Sequence, residues 1–386
     1  MKAALIVCDG MADRPIDALG KKTPLEVAET PNMDRIAEGG ICGISDPIAP
    51  GIRAGSDVSH LAILGYDPYK VYTGRGPLEA VGMGIEIKEG DVAFRCNFAT
   101  IEGGIVKDRR ASRIKGTEDL ASLVNAISIP GVEVWFNSLD YRGSLVFRGE
   151  GLSGNVSDSD PHVPGGLPKV VRPLDGTEEA SHTAEIANDF LKKVKTVLVD
   201  RAPANMLILR GCGISPKMET LNERHGINGA CIATTAIIKG IASLAGLEII
   251  EAEKDYKDRC RQGLLALDKT DFLLMNIKEA DEAGHDQDYS RKIEAIEEID
   301  AGLGEFLDFT GENYLVLMSD HATPVSFGDH TGDPVPVAIA GPEVRTDDVK
   351  RFNERSVAKG GLCRIRSRDI MPILLNLLNK SEKYGA

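Results

Sequence analysis

Three apolar runs, Lys2–Cys8, Phe272–Ile277 and Tyr314–Met318, constrain this chain more than any other feature of it. Each has the length and composition of a buried strand of a largely parallel sheet. Each is followed by an aspartate: Asp9 at once, Asp320 after Ser319, and Asp281 three residues beyond Lys278. Open α/β sheets place their chemistry in the crevice outside the carboxyl ends of the strands. Three acidic strand ends therefore predict one site.

Histidines reinforce this pattern. The chain has seven, and three of them lie beside two of the strand-end aspartates: His285, four residues after Asp281, then His321 next to Asp320, and His330 nine residues later. Three carboxylates and three imidazoles exceed what one closed tetrahedral zinc needs. They suit two ions about 4 Å apart, the usual arrangement for phosphoryl chemistry. Oxygen and imidazole donors without thiolate admit Mn²⁺, Zn²⁺, Co²⁺ or Mg²⁺.

A two-ion site needs a nucleophile. The Pro- and Gly-rich loop Pro47–Gly55 delivers Ser56 to the start of a predicted helix, Asp57–Leu64. Serine there is by itself an ordinary helix cap. Beside two ions it becomes more, because coordination lowers a hydroxyl's pKa and the helix end favours phosphate.

The remaining pattern is α/β: a doubly wound sheet flanked by helices and interrupted by an α+β insertion. Predicted core helices include Met33–Glu38, Ala236–Leu244, Asp255–Leu267, Ser290–Leu307 and Arg368–Leu378, with strands at Gly229–Thr234, Leu247–Ile250 and Val335–Ala340. From about Tyr69 to Asn205 the rhythm changes to β-like runs, Val92–Ile101, Val132–Asn137 and Ser144–Arg148, with helices near Glu118–Ile127 and Glu178–Val197. The expected domains are residues 1–70 with 206–386 as a discontinuous core, and residues 71–205 as the insertion. Arg109, Arg110, Arg113, Arg142, Arg148 and Arg172 concentrate in the insertion; singly, each reads as a solvated charge.

Length and charge bound the function. At 386 residues, two domains are the expectation. A formal charge of −14 argues against nucleic acid or an anionic membrane as partner, while a local arginine cluster still permits an anionic small substrate. Seven dispersed cysteines without a C-x-x-C pair suggest a reducing cytoplasm, and no apolar run reaches membrane-spanning length. The absence of a P-loop or strand-linked dinucleotide fingerprint argues against an ATP or NAD enzyme. A homo-oligomer stays open.

The segments IVCDGMADRP, APGIRAGSDVSHLAILGYDP, TGRGPLEAVGMGI, DRRASRI and SDHATPVSFGDHTGDPVPVAI together resemble the archaeal-type cofactor-independent phosphoglycerate mutases of the alkaline phosphatase superfamily. The resemblance spans essentially the whole chain. It implies an alkaline-phosphatase-like core and interconversion of 3-phosphoglycerate and 2-phosphoglycerate in glycolysis and gluconeogenesis, with no 2,3-bisphosphoglycerate. It implies one metal held by Asp281, His285 and His330, and a second by Asp9, Asp320 and His321 with Ser56 as the phospho-accepting nucleophile; Mn²⁺ leads the admissible ions. It also implies substrate contacts from Asp57, His162 and Lys217, and from some of Arg109, Arg110, Arg113, Arg142 and Arg148 in the inserted substrate-binding domain. Rival readings share the core chemistry: a metal-dependent phosphatase, a pentose phosphate mutase, or a homoserine kinase-type relative.

Overall fold

The computed structural model describes residues 1–385. In chain order the strands are β1 (Ala3–Cys8), β2 (Gly40–Asp46), β3 (Val92–Glu102), β4 (Ile105–Asp108), β5 (Glu133–Leu139), β6 (Arg142–Arg148) and β7 (Met206–Ile214). There follow β8 (Gly229–Ala233), β9 (Glu248–Glu251), β10 (Phe272–Ile277), β11 (Tyr314–Met318), β12 (Val335–Ala340) and β13 (Cys363–Arg366). They form an eight-stranded sheet of order β13-β2-β12-β11-β1-β10-β8-β9, and a five-stranded sheet of order β4-β3-β6-β5 with β7 paired to β3.

In the larger sheet β1 lies between β10 and β11 and is parallel to both. Strand β12 is antiparallel to β11 and to β2, so it runs against the general direction. Every residue of β1, β8, β10, β11 and β12 is buried. On one face Ala4, Ile6 and Cys8 pack with Ile36, Ile296 and Leu303 from helices Pro31–Glu38 and Tyr289–Leu303. Leu5 and Val7 point the other way and are equally enclosed. Strands covered on both faces read as continuous apolar runs, which is why these were visible in the sequence. Burying each large aliphatic side chain contributes roughly 1.5–3 kcal/mol. The acidic strand ends are thus fixed to a rigid base.

The chain divides into two compact units, residues 1–70 with the described residues from Met218 onward, and Val71–Lys217. The second unit has its own core, in which Phe94, Phe147 and Phe190 form successive edge-to-face pairs. Its long helix, Glu178–Val197, begins at Thr177, whose side chain accepts from Ala180 N–H.

One boundary expectation fails here. Met206–Ile214 does not return to the larger sheet; it pairs antiparallel with β3, and Leu207 and Leu209 join the core of the inserted unit. Strand composition does not say which sheet a strand joins. The eleven-residue β3 takes β6 on one side and β7 on the other, so the return to the core lies at Lys217–Met218, not near Asn205.

Candidate active site

The acidic ends of β1, β10 and β11 meet outside the carboxyl edge of the larger sheet. Asp9 follows β1 directly, and its N–H donates to Ile277 O at 2.8 Å. Gly10 N–H donates to Asp320 Oδ1 at 3.1 Å, joining the first strand end to the third. Asp281 and His285 lie on a short helix, Glu279–His285, where a four-residue spacing puts both on one face. Asp9, Asp281, Asp320 and His321 are all buried.

Two groups of donors could each hold a cation. Asp9, Asp320 and His321 form one, with all ligand atoms within 4.8 Å; Asp281, His321 and His330 form the other, and His321 is common to both. His285 adjoins the second group: its Nε2 lies 3.5 Å from Asp281 Oδ2 and 3.2 Å from His330 Nε2. His330 Nε2 in turn stands 3.5 Å from Asp281 Oδ1.

The outer nitrogens are tied back. His285 Nδ1 meets Gly328 O at 3.0 Å and His330 Nδ1 meets Ala54 O at 2.9 Å. A carbonyl only accepts, so each Nδ1 carries a proton, and in the neutral ring Nε2 is the nitrogen with a lone pair for a ligand. Asp320 Oδ2 is fully enclosed and accepts no hydrogen bond. An orphaned buried carboxylate oxygen is costly. A divalent cation would satisfy it, and the donor chemistry fits one.

Ser56 opens the helix Ser56–Ile63 after Gly55 and is 7% exposed. Its Oγ lies 3.1 Å from His321 Nε2 and 3.5 Å from Asp9 Oδ1. One turn on, the buried His60 places Nδ1 2.8 Å from Ser56 O. His60 Nε2 lies 3.2 Å from Asn276 Nδ2, which also donates to Asp9 Oδ2 at 3.1 Å. His60 and Asn276 thus brace the serine and the first aspartate together. Lys278 Nζ donates to Asp281 Oδ2 at 2.6 Å and stands 3.5 Å from Asp9 Oδ1.

Electrostatics follow from this crowding. Burial raises the Asp320 carboxyl well above the usual range, and the Asp9 charge adds to it. Burial also works to raise Asp281, but the hydrogen bond from His330 and the Lys278 ammonium outweigh it and hold that carboxyl far down. Burial and neighbouring His330 push His321 well below its ordinary value. Its neutral form is the one that binds metals.

Residues 1–377 match the metalloenzyme superfamily. A Methanothermobacter thermautotrophicus protein named 2,3-bisphosphoglycerate-independent phosphoglycerate mutase 1 is 51% identical, with all of both chains covered. The chain belongs to the 2,3-bisphosphoglycerate-independent phosphoglycerate mutase family. A like-named Methanocaldococcus jannaschii mutase is 46% identical over all of this chain and 99% of its own. Among solved structures, the cofactor-independent phosphoglycerate mutase of Thermoplasma acidophilum is 32% identical with a TM-score of 0.73, covering 98% of this chain and all of that one. A Pyrococcus horikoshii protein is 36% identical with a TM-score of 0.86, covering 100% of this chain and 99% of its own. Membership of a metalloenzyme superfamily carries with it dependence on divalent metal.

For a mutase of this family the inserted unit is the other place to look, and its expected residues are scattered. Arg109 holds Asp160 bidentately, at 2.8 and 2.5 Å. His162 Nε2 lies 2.9 Å from Asp158 Oδ2. Arg148 is committed to Asp91, at 2.8 Å, and Arg142 lies over the Tyr141 ring. Arg110 and Arg113 are exposed on a turn. Lys217 is an exposed lysine paired with Glu89 at 2.7 Å. In the core unit, Asp57 is buried and its Oδ1 accepts from Val58 N–H at 2.9 Å.

Three arginines that sequence reading passed over stand closer together. Arg75 and Arg95 share Glu79, at 2.8 and 3.1 Å, and Arg210 Nη1 lies 4.0 Å from Asp160 Oδ2. Burial pushes the Arg95 guanidinium down to about 9, with Glu79 opposing the shift. Burial lowers Arg210 as well, and its Nε has no hydrogen-bond partner. Arg75 and Arg95 were missed because one sits in a Gly-rich stretch and the other inside an apolar strand. His60 had a signal, the four-residue helical spacing from Ser56, and Asn276 another, as the polar residue of an apolar run.

Proposed function

We propose that this chain interconverts 3-phosphoglycerate and 2-phosphoglycerate through a phosphoserine at Ser56, at a two-ion site and without 2,3-bisphosphoglycerate. The observation that carries the reading is a buried serine hydroxyl 3.1 Å from the histidine shared by two donor groups. The mutase names of full-length relatives favour transfer back to substrate over release to water. In this reading Asp281, His285 and His330 hold one ion, and Asp9, Asp320, His321 and Ser56 the other. Mn²⁺ is the preferred candidate, and Zn²⁺, Co²⁺ and Mg²⁺ are compatible with the same donors. When bound, such ions lower the pKa of a coordinated hydroxyl and neutralise charge on phosphoryl oxygens.

The chain's own residues supply the rest. Ser56 Oγ forms a bond to the substrate phosphorus as the bond to the glycerate oxygen breaks. The N-terminal end of its helix offers positive backbone dipoles to the phosphoryl oxygens. His60 and Asn276 keep Ser56 and Asp9 in register. Retained glycerate then presents its other hydroxyl, takes the phosphoryl group back and restores Ser56. Recognition of the glycerate carboxylate belongs to the arginines of the inserted unit, among which Arg75, Arg95 and Arg210 join Arg109 as candidates, since a guanidinium fork matches a carboxylate. His162, Lys217, Asp57, Arg110, Arg113, Arg142 and Arg148 remain assigned to substrate on the family resemblance alone. Among the described residues no helix is long and apolar enough to cross a membrane; we place the enzyme in the cytoplasm, acting on a small phosphorylated substrate.

The decisive assay supplies 3-phosphoglycerate and Mn²⁺ without bisphosphoglycerate and couples product to enolase. The parent protein should form 2-phosphoglycerate and Ser56→Ala should not. Release of phosphate in place of isomerisation would make the chain a phosphatase. A requirement for bisphosphoglycerate would exclude the phosphoserine route.

A further inference from the structure

Thr323 is absent from the ligand set, yet its hydroxyl lies between two members of it. Thr323 Oγ1 donates to Asp281 Oδ1 at 2.6 Å and lies 3.2 Å from His321 Nδ1. A threonine hydroxyl has one proton to give. With that proton on Asp281, the contact to His321 uses the imidazole's own Nδ1–H. Nε2 is then the lone-pair nitrogen, and it is Nε2 that approaches Ser56, Asp9 and Asp320. His285 and His330 get the same tautomer from backbone carbonyls; His321 gets it from a side chain that also grips a ligand of the other ion.

The surrounding fold is cut to fit this hydroxyl. A Cβ at Gly10, where φ is +60°, would lie 2.6 Å from Thr323 Oγ1 and 2.5 Å from Asp281 Oδ1. A Cβ at Gly284, between Asp281 and His285, would lie 2.4 Å from Thr323 O. Thr323 N–H donates to Ala12 O at 3.1 Å. Lys292, fully buried, donates to Thr323 O at 2.9 Å, to Ala12 O at 3.3 Å and to Asp13 Oδ2 at 2.8 Å. Asp13 in turn accepts from Val325 N–H at 3.1 Å. The loops that follow β1 and β11 are therefore clamped by one buried ammonium, and the Thr323 hydroxyl extends the clamp to Asp281 beyond β10. Such outer partners of a ligand fix its orientation and basicity.

Resting on the ligand assignment proposed above, we infer that Thr323 is a positioning residue that couples the two ion sites, orienting Asp281 for one and fixing the His321 tautomer for the other. Since His321 is common to both donor groups, its orientation sets what each group can offer.

The test uses the full chain, stripped of metal and titrated calorimetrically with Mn²⁺. Thr323→Val keeps the shape and removes the hydroxyl; Thr323→Ser keeps the hydroxyl. Thr323→Val should weaken Mn²⁺ binding by about 10–100-fold, and Thr323→Ser should bind as the parent does. The metal-free melting temperatures separate this from a packing role. A Thr323→Val protein that melts lower without metal but binds Mn²⁺ like the parent would overturn the inference, as would a Thr323→Ser protein as impaired as the valine variant. Thr323→Ala gives the same comparison should the valine variant fail to fold. A parent protein that takes up fewer than two Mn²⁺ would overturn the ligand assignment itself, and the coupling with it.

Discussion

The imidazole rings of His321 and His330 stack, with centroids 3.7 Å apart and planes 22° from parallel. Two imidazolium ions cannot share such a contact cheaply. Burial and His330 hold His321 neutral, while the hydrogen bond to Asp281 raises His330 against its own burial. A cation at His330 Nε2 takes the lone pair of the neutral ring, so its binding competes with a proton there.

That arrangement makes His330 the separable ligand, since it comes from the loop and not from a strand end. His330→Gln should lower metal content from two ions to one per chain and cut turnover by at least about a hundredfold. Elemental analysis of the purified variant alongside its kinetics checks both. Two retained ions would remove His330 from the ligand set.

Ser56→Ala deletes one hydroxyl and leaves the six carboxylate and imidazole donors in place. Turnover should fall by about 10³-fold or more, with metal content near that of the parent. Phosphate labelling under acid quench should trap phosphoprotein in the parent and none in the variant. A labelled alanine variant would put the nucleophile elsewhere.

Glu354 gives a pH signature from outside the ligand set. Burial pushes its carboxyl from 4.5 up to about 7, against hydrogen bonds from Thr23 and Asp13 N–H. Between those values the folded chain binds more protons than the unfolded one, so stability falls with rising pH. The contribution is complete below about 4.5 and is lost as pH passes 7. Glu354→Gln should flatten the melting-temperature profile over that interval; an unchanged slope would assign the effect to other groups.

Asp300 caps a helix that it does not belong to. Its carboxylate accepts from Met33 N–H at 2.7 Å and Asn32 N–H at 3.3 Å at the start of Pro31–Glu38, whose own Thr30 makes no side-chain cap. Asp300→Ala should destabilise the protein by about 1–3 kcal/mol in denaturant titration, while metal content stays at the parent level. A loss of metal would mean that the two helices position the site more directly.

Much of this was legible in the sequence because burial on both faces leaves a blunt signal. Phe272–Ile277, Val335–Ala340, Ala236–Leu244 and Glu178–Val197 have the bounds their patterns predict. The helix Arg75–Gly82 was not legible, since its opening Gly-Arg-Gly-Pro reads as loop. The stretch that forms β7 was given to the core with the rest of residues 206–386, because pairing partners more than 100 residues apart leave no local mark. At the site, aspartates and histidines stand out by type and position. Thr323, Asn276 and Lys292 do not, since what distinguishes them is whom they touch.

The placement of β1 has a consequence for how the chain is made. Its neighbours, β10 and β11, begin at Phe272 and Tyr314, so β1 leaves the ribosome long before either of the strands that flank it. At ~5–20 residues per second, translation leaves that strand without its partners for some tens of seconds. The inserted unit, Val71–Lys217, is continuous in sequence, so all the strands of its sheet are made before β10 begins. An apolar strand left without its partners is a ready client for a chaperone, and the metal donors of Asp9 and Asp320 first meet only when that wait ends.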